Sequence, residues 1–174
     1  MLKFRLSTYL LLFVLTACSG ASSRAESPTD LMENLTGTWD VEVTLKKSVL
    51  IPEEMNLKGT ETNKWILNKA FLQTKQSLAG GAFKKLSLMR YEPNEGVFLF
   101  WDFDSKGSFP MGITSGKWDQ AKGEIALSGE YLGGASGEGV VRLEGDDEIE
   151  VAFTVRSADG TVLLDLEASA ERSE

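Results

Sequence analysis

The carboxylates near position 100 are the residues of this chain whose type and spacing best fit catalytic chemistry. Asp102 and Asp104 are two positions apart in a segment of strand character, so their side chains share one face at about 7 Å. This separation suits an acid–base pair. A further hypothesis is a hydrolase that uses carboxylates such as those of Asp102 and Glu61. The simpler interpretation is a pair of solvated carboxylates at a strand end.

The composition argues against catalysis. The sequence contains no histidine and a single cysteine, Cys18. Histidine is the commonest general base and the commonest metal ligand, and one thiol cannot form a metal cluster or an internal disulfide. We therefore predict a protein that is not an enzyme and that has no metal site and no cofactor.

The stretch Val97–Asp104 is also rich in aromatic residues. Along a strand, Trp101 and Phe103 share one face, whereas Phe98 and Phe100 lie on the other. We expect the first pair to point inward and to line an apolar ligand site with aromatic residues from other segments, namely Trp65, Tyr91 and Tyr131. The alternative is that these side chains fill the core, because core packing also requires an apolar inward face.

The N-terminus has the pattern of a secretory signal. Residues 1–17 carry two positive charges and then a short apolar run, which is below the roughly 20 residues that a membrane-spanning helix needs. The sequence Leu15-Thr16-Ala17-Cys18 resembles the bacterial lipobox, in which the cysteine sulfur receives a diacylglyceryl group. We expect lipidation at Cys18. The alternative is a buried cysteine behind an ordinary signal peptide.

The predicted anchor determines the domain plan and the location. Residues 1–17 are the signal peptide, residues 18–30 a small and polar tether, and residues 31–174 the folded domain. Ser19 stands where an aspartate would hold a lipoprotein at the inner membrane, so we expect the outer membrane, facing the periplasm.

The net charge of −8 argues against nucleic acid as a partner.

The predicted folded domain alternates polar and apolar residues with a period of two. Val41 and Val43 near its start and Val151 and Phe153 near its end follow this pattern, which is typical of strands with one buried face. Turn residues separate about ten such segments, after one short helix predicted at Pro28–Leu35 with Thr29 or Asp30 as its cap. So many antiparallel strands must close to remove their edges. We predict an all-β, up-and-down antiparallel barrel.

Four motifs lie along the predicted barrel: the opening Leu35-Thr36-Gly37-Thr38-Trp39, Trp65-Ile66-Leu67 before Phe71-Leu72, Arg90-Tyr91-Glu92-Pro93, and Trp101-Asp102-Phe103-Asp104-Ser105. With these motifs the chain resembles the lipocalin and wider calycin group, and in particular a bacterial family of lipocalin-like domains of unknown function, over roughly residues 35–170. The resemblance implies that Trp39 plugs one barrel end. The chain departs from the family at Asn68-Lys69-Ala70, where Gly-Gly-Arg is usual, and at Glu92, where aspartate is usual.

Two functions remain open from the sequence. In the first, a membrane-anchored barrel binds a small apolar or amphipathic ligand in the cell envelope. In the second, the barrel has a filled core and contacts a protein partner through a loop rim or an exposed aromatic residue such as Phe98 or Phe100. The volume and lining of the barrel interior distinguish the two.

Overall fold

The computed structural model describes residues 27–107 and 112–173, which form one short helix and ten strands. The predicted lipidation site, Cys18, lies outside the described residues. The elements in chain order are α1 (Pro28–Asn34), β1 (Gly37–Leu45), β2 (Met55–Ile66), β3 (Phe71–Leu78), β4 (Phe83–Glu92), β5 (Val97–Asp104), β6 (Thr114–Asp119), β7 (Glu124–Tyr131), β8 (Ala135–Glu144), β9 (Glu148–Arg156) and β10 (Val162–Arg172).

The ten strands form a closed antiparallel barrel in which each strand pairs with its neighbours in sequence, and β1 pairs with β10. The closing register runs from Trp39 opposite Arg172 to Leu45 opposite Leu166. Closure pairs the edges that an open sheet would leave exposed. The predicted fold class is confirmed. The alternating pattern predicts that the eighth strand begins at Gly139, whereas β8 begins at Ala135.

Helix α1 covers one end of the barrel, which we call the helix end. Ser27 caps the helix, rather than the predicted Thr29 or Asp30, because its Oγ accepts from the backbone N–H of Asp30. Leu31 and Met32 are buried beneath the helix, and Trp39 Nε1 donates to the carbonyl of Leu35 at 3.1 Å. No helix among the described residues has the length and apolar character to cross a bilayer.

The inward face of β5 is opposite to the one that the sequence predicts. Tyr91 on β4 lies opposite Phe98, and Phe98 is completely buried, whereas Phe103 is 50% exposed. Trp101 and Phe103 therefore point outward, while Phe100, Asp102 and Asp104 share the inward face of Phe98. Both faces of β5 are apolar near its start, so the hydrophobic pattern alone does not determine its orientation.

Candidate functional site

A band of polar side chains lines the interior of the barrel along four neighbouring strands, β2 to β5. The register places residues that lie directly opposite one another on the same face of the sheet. In β2 to β5 this face is continuous with buried core residues such as Leu72 and Met89. The polar band consists of Glu61, Asn63, Thr74, Gln76, Lys85, Ser87 and Asp102.

An ion pair lies near the centre of this band. Lys85 Nζ is 3.0 Å from Asp102 Oδ1, and the Ser87 hydroxyl donates to the same carboxylate oxygen. Burial alone would raise the pKa of Asp102, but the ammonium of Lys85 and the hydroxyl of Ser87 outweigh it, so this pKa lies below its usual value. Burial alone would lower the pKa of Lys85, but the facing carboxylates of Asp102 and Glu61 raise it. Both groups are therefore charged at neutral pH.

A hydrogen-bonded chain holds the second carboxylate of the band. Asn63 Nδ2 donates to Glu61 Oε1 at 2.9 Å, and Gln76 Nε2 donates to Glu61 Oε2 at 3.1 Å. Thr74 Oγ1 in turn donates to Asn63 Oδ1 at 2.5 Å. Each oxygen of Glu61 thus accepts an amide hydrogen bond, which fixes the carboxylate in position.

The opposite wall is largely apolar and is built on glycines. A Cβ atom added to Gly137 would lie 2.6 Å from the ring of Phe153 and 2.8 Å from the ring of Tyr131. Both rings therefore lie against the wall in the space that Gly137 leaves. The hydroxyls of Tyr131 and Thr114 are 2.8 Å apart. Burial raises the pKa of Tyr131, although this hydrogen bond opposes the shift, so the phenol is neutral at physiological pH.

The two halves of the barrel differ in how completely they are filled. At the helix end, Trp39, Phe98 and Ile125 are at most 1% exposed. Farther along the strands, Leu78 is also only 2% exposed, but the inward-facing side chains of Lys85 and Asp102 keep 38% and 39% of their surface exposed. Complete filling at this level would bury both side chains. We call the space around this pair, in the half of the barrel away from α1, the upper lumen.

Two other cavities are grooves on the outside of the barrel. The first, of about 340 Å³, includes Glu150 and Glu167 in its lining, and the second, of about 600 Å³, includes Ser128 and Glu138. These side chains belong to the outward-facing set of their strands. Neither groove is the lumen.

The five predicted ligand-binding residues do not converge. Trp65 and Tyr91 face inward at the helix end, where Trp65 Nε1 donates to Glu33 at 2.8 Å and the Tyr91 ring packs 5.2 Å from that of Phe98. Tyr131 lines the upper lumen. Trp101 and Phe103 lie on the outer surface, so their predicted inward orientation is wrong. That any of these residues binds a ligand stays a prediction.

Sequence reasoning missed the polar band. It interpreted Asp102 and Asp104 as solvated outward groups, whereas both face inward and Asp102 pairs with Lys85. The register of the hairpins could have indicated this band from the sequence, because it places polar residues opposite one another on all four strands from β2 to β5. No group of three or more cysteine, aspartate or glutamate side chains in residues 27–107 and 112–173 is arranged to hold a metal ion.

Comparisons with known proteins agree on the fold. The family described as "Protein of unknown function (DUF1579)" matches residues 25–172. The structure is similar to that of the S-type phycobiliprotein lyase CPES from Guillardia theta, with TM-score 0.58, 9% identity, and coverage of 84% of this chain and 92% of that one. It is also similar to Rv2717c from M. tuberculosis, with TM-score 0.62, 15% identity, and coverage of 85% and 99%. A comparison with curated proteins gives no significant match.

Proposed function

The chain belongs to the DUF1579 family of proteins of unknown function, and from the upper lumen of its barrel we propose that it binds a small amphipathic molecule without catalysing a reaction. The observation that carries this proposal is the half-exposed Lys85–Asp102 pair inside the barrel, facing the wall formed by Tyr131 and Phe153. Cavities with an apolar lining and a few fixed polar groups are typical ligand sites. The apolar part of the ligand would contact the aromatic wall and its polar head the ion pair.

The charges of the polar band, together with Asp104 on the same inward face of β5, favour a neutral or cationic head group. Glu61, Asp102 and Asp104 face inward with one ammonium group, Lys85. The negative charges therefore outnumber the positive charge in a confined space, where Coulomb interactions are stronger than in bulk water. An alkyl amine or alcohol should bind more tightly than the corresponding carboxylate.

The state of the carboxylates supports binding rather than hydrolysis. An acid–base pair needs one carboxyl group whose pKa is raised so that it can donate a proton. The pKa of Asp102 is lowered instead, and both oxygens of Glu61 are occupied by amide donors. The hydrolase hypothesis for these two residues therefore gains no support from the geometry.

The test is calorimetric titration of the full chain with octylamine, octanol and octanoate at neutral pH. We expect octylamine to bind about tenfold or more tighter than octanoate, and Asp102→Asn to reduce this preference. The matched control is Asp40→Asn, the same substitution on the outer face of β1, which should leave the preference unchanged. Equal binding of amine and carboxylate, or equal effects of the two substitutions, would contradict the proposal.

The second part of the proposal is location. We propose that Cys18 is lipidated and holds the barrel at the outer membrane facing the periplasm, on the basis of the sequence motif at Leu15–Cys18 and of Ser19. Two or more acyl chains anchor a protein stably. In a bacterial host with two membranes, labelled palmitate should enter the wild-type chain but not Cys18→Ser. The Ser19→Asp variant should be labelled but should move to the inner membrane. Labelling of Cys18→Ser would disprove lipidation at this residue.

A further inference from the structure

The outer surface of β2 to β5 differs from the rest of the barrel in charge. The outward side chains of these strands include one acid, Glu92, and five cations: Lys58, Lys64, Lys75, Lys84 and Arg90. Lys64, Lys75 and Lys84 form no side-chain ion pair with any residue that the structure describes. We call this surface the basic face.

Large apolar side chains lie on the β4–β5 side of the basic face. Phe71 packs edge-on against Trp101, with ring centroids 5.9 Å apart, and Phe103 is 50% exposed. Leu86 and Leu88 lie opposite Phe103 and Trp101 on the neighbouring strand. The result is an aromatic and aliphatic patch with the lysines of β3 and β4 beside it.

The far side of the barrel has the opposite character. The outward positions of β9 and β10 carry one cation, Arg156, and a series of acids: Glu148, Glu150, Asp165, Glu167 and Glu171. The net charge of −8 is thus unevenly distributed, and an anionic surface would attract one side of the barrel and repel the other.

We propose that the basic face docks on an anionic phospholipid surface, with Trp101 and Phe103 entering the interfacial layer. Lysines attract anionic head groups, and tryptophan and phenylalanine are favoured at the boundary between head groups and acyl chains. A second copy of the chain is a poorer occupant, because the acidic outward surface of β9 and β10 offers only a small apolar side chain, Ala152, between Glu150 and Glu167. This inference depends neither on Cys18 nor on the luminal site.

Trp101 provides a specific probe of this docking. The chain has four tryptophans, and Trp39, Trp65 and Trp118 all belong to the inward-facing core or pack against it. The experiment reconstitutes the full chain with vesicles whose acyl chains carry bromine, which quenches tryptophan only on contact. The N-terminal segment is present in every sample, so differences between variants report on the barrel.

We expect brominated phosphatidylglycerol vesicles to quench the Trp101 share of the emission and brominated phosphatidylcholine vesicles to quench it at least twofold less. Trp101→Phe should remove the difference between the two lipids. The double variant Lys75→Glu/Lys84→Glu should reduce quenching at least twofold, and high salt should act in the same direction. The matched control is Lys47→Glu/Lys122→Glu, which has the same net charge but alters residues in connecting segments, and it should behave like wild type.

Three results would overturn the proposal. The first is equal quenching in the two lipids, and the second is an equal effect of the two double variants. The third is a Trp101 emission shift that depends on protein concentration in the absence of lipid, which would assign the face to contact between copies of the chain. None of these results would change the binding of octylamine in the lumen, so the two proposals fail separately.

Discussion

At the scale of single residues, Arg172 connects three segments at the helix end. Its guanidinium lies 4.3 Å from the centroid of Trp39 and donates to the carbonyls of Asn34 and Thr36 at 2.7 and 2.8 Å. It also pairs with Asp147 at 2.9 Å. This one side chain therefore satisfies carbonyls at and just after the C-terminus of α1, stacks on Trp39 of β1 and binds the β8–β9 turn.

Replacing Arg172 by lysine should destabilise the barrel. Lysine keeps the charge but cannot make several planar hydrogen bonds and stack at the same time, so we expect a loss of about 2–3 kcal/mol in the free energy of unfolding. Urea denaturation measures this loss. Arg156→Lys is the control, because Arg156 makes one long hydrogen bond to the carbonyl of Gly160 and should cost less than about 0.5 kcal/mol. Similar losses in the two variants would contradict this account of Arg172.

Asp102 should make stability depend on pH in acid. Because its pKa in the folded protein is lowered below the ordinary value of 3.8, its stabilising effect is present above that value and is lost as the pH falls through the folded pKa. The pKa of Lys85 is raised above 10.5, so its contribution is lost only in strong alkali. The pair is therefore intact at neutral pH.

We expect the free energy of unfolding of the wild type to fall more steeply below pH 3.8 than that of Asp102→Asn. Urea denaturation at a series of acid pH values tests this expectation. Lys85→Met should also flatten the acid dependence, because it removes the ammonium that lowers the Asp102 pKa. Parallel curves for all three proteins would show that the pair has no such effect.

At the scale of elements, glycines in β8 set the shape of the lumen. Gly137 gives the rings of Tyr131 and Phe153 a place against the wall, so the space between this wall and the polar band stays accessible. The inward positions of β8 also include Gly139, and bulky residues there would narrow the barrel in the same way.

Gly137→Ala should weaken ligand binding. The added methyl group would lie closer than 3.0 Å to both rings, so the rings must move toward the lumen. We expect the affinity for octylamine to fall about tenfold and stability to fall by about 1–3 kcal/mol. Ser136→Ala, at the outward neighbour, is the control. Unchanged affinity in a folded Gly137→Ala protein would show that the rings do not border the ligand.

The β2–β3 turn contains backbone strain that a glycine would relieve. Leu67, Asn68 and Lys69 all have positive φ, and that of Leu67 is 51°. Leu67 is 70% exposed, so Leu67→Gly should stabilise the protein by about 0.5–1 kcal/mol in urea denaturation. Leu50→Gly, in a connecting segment without positive φ, should not stabilise it. Equal effects of the two substitutions on the free energy of unfolding would contradict backbone strain at Leu67.

At the scale of the whole molecule, the helix end of the barrel is filled, whereas the Lys85–Asp102 pair farther along the lumen stays partly exposed. Leu31 in α1 is completely buried at the helix end, whereas Leu132 at the opposite rim is 82% exposed. Leu31→Ala should cost about 2–5 kcal/mol in urea denaturation and leave octylamine binding unchanged, because the upper lumen is distant. Leu132→Ala should be neutral in stability. A loss of binding in a folded Leu31→Ala protein would place the ligand at the helix end.

The two-sided charge of the outer surface also belongs to the whole molecule. Lysines of β2 to β4 and acids of β9 and β10 are distant in sequence, and the order of strands in the closed barrel places them on different sides. Composition alone gives only the sum of −8. The orientation of the molecule at a charged surface therefore depends on topology.

The sequence by itself determined the strand number, the antiparallel order and the helix before β1. Period-two alternation and turn residues such as Pro93–Gly96 are local properties of the chain. For the same reason the pattern predicts strands at Phe71–Leu78, Phe83–Glu92 and Val97–Asp104, and β3, β4 and β5 have these bounds. The helix was also predicted, although its cap lies at Ser27, outside the predicted range.

Only the tertiary structure decided which face of β5 points inward and what the lumen contains. A strand with apolar residues on both faces has two orientations of similar burial, and the choice depends on register with β4, where Tyr91 meets Phe98. The same register brings Asp102 to Ser87 and within 3.0 Å of Lys85. Placing a charged residue inside a barrel costs much less free energy when an oppositely charged partner is there too. Pairing between separate strands is not a local property of the sequence.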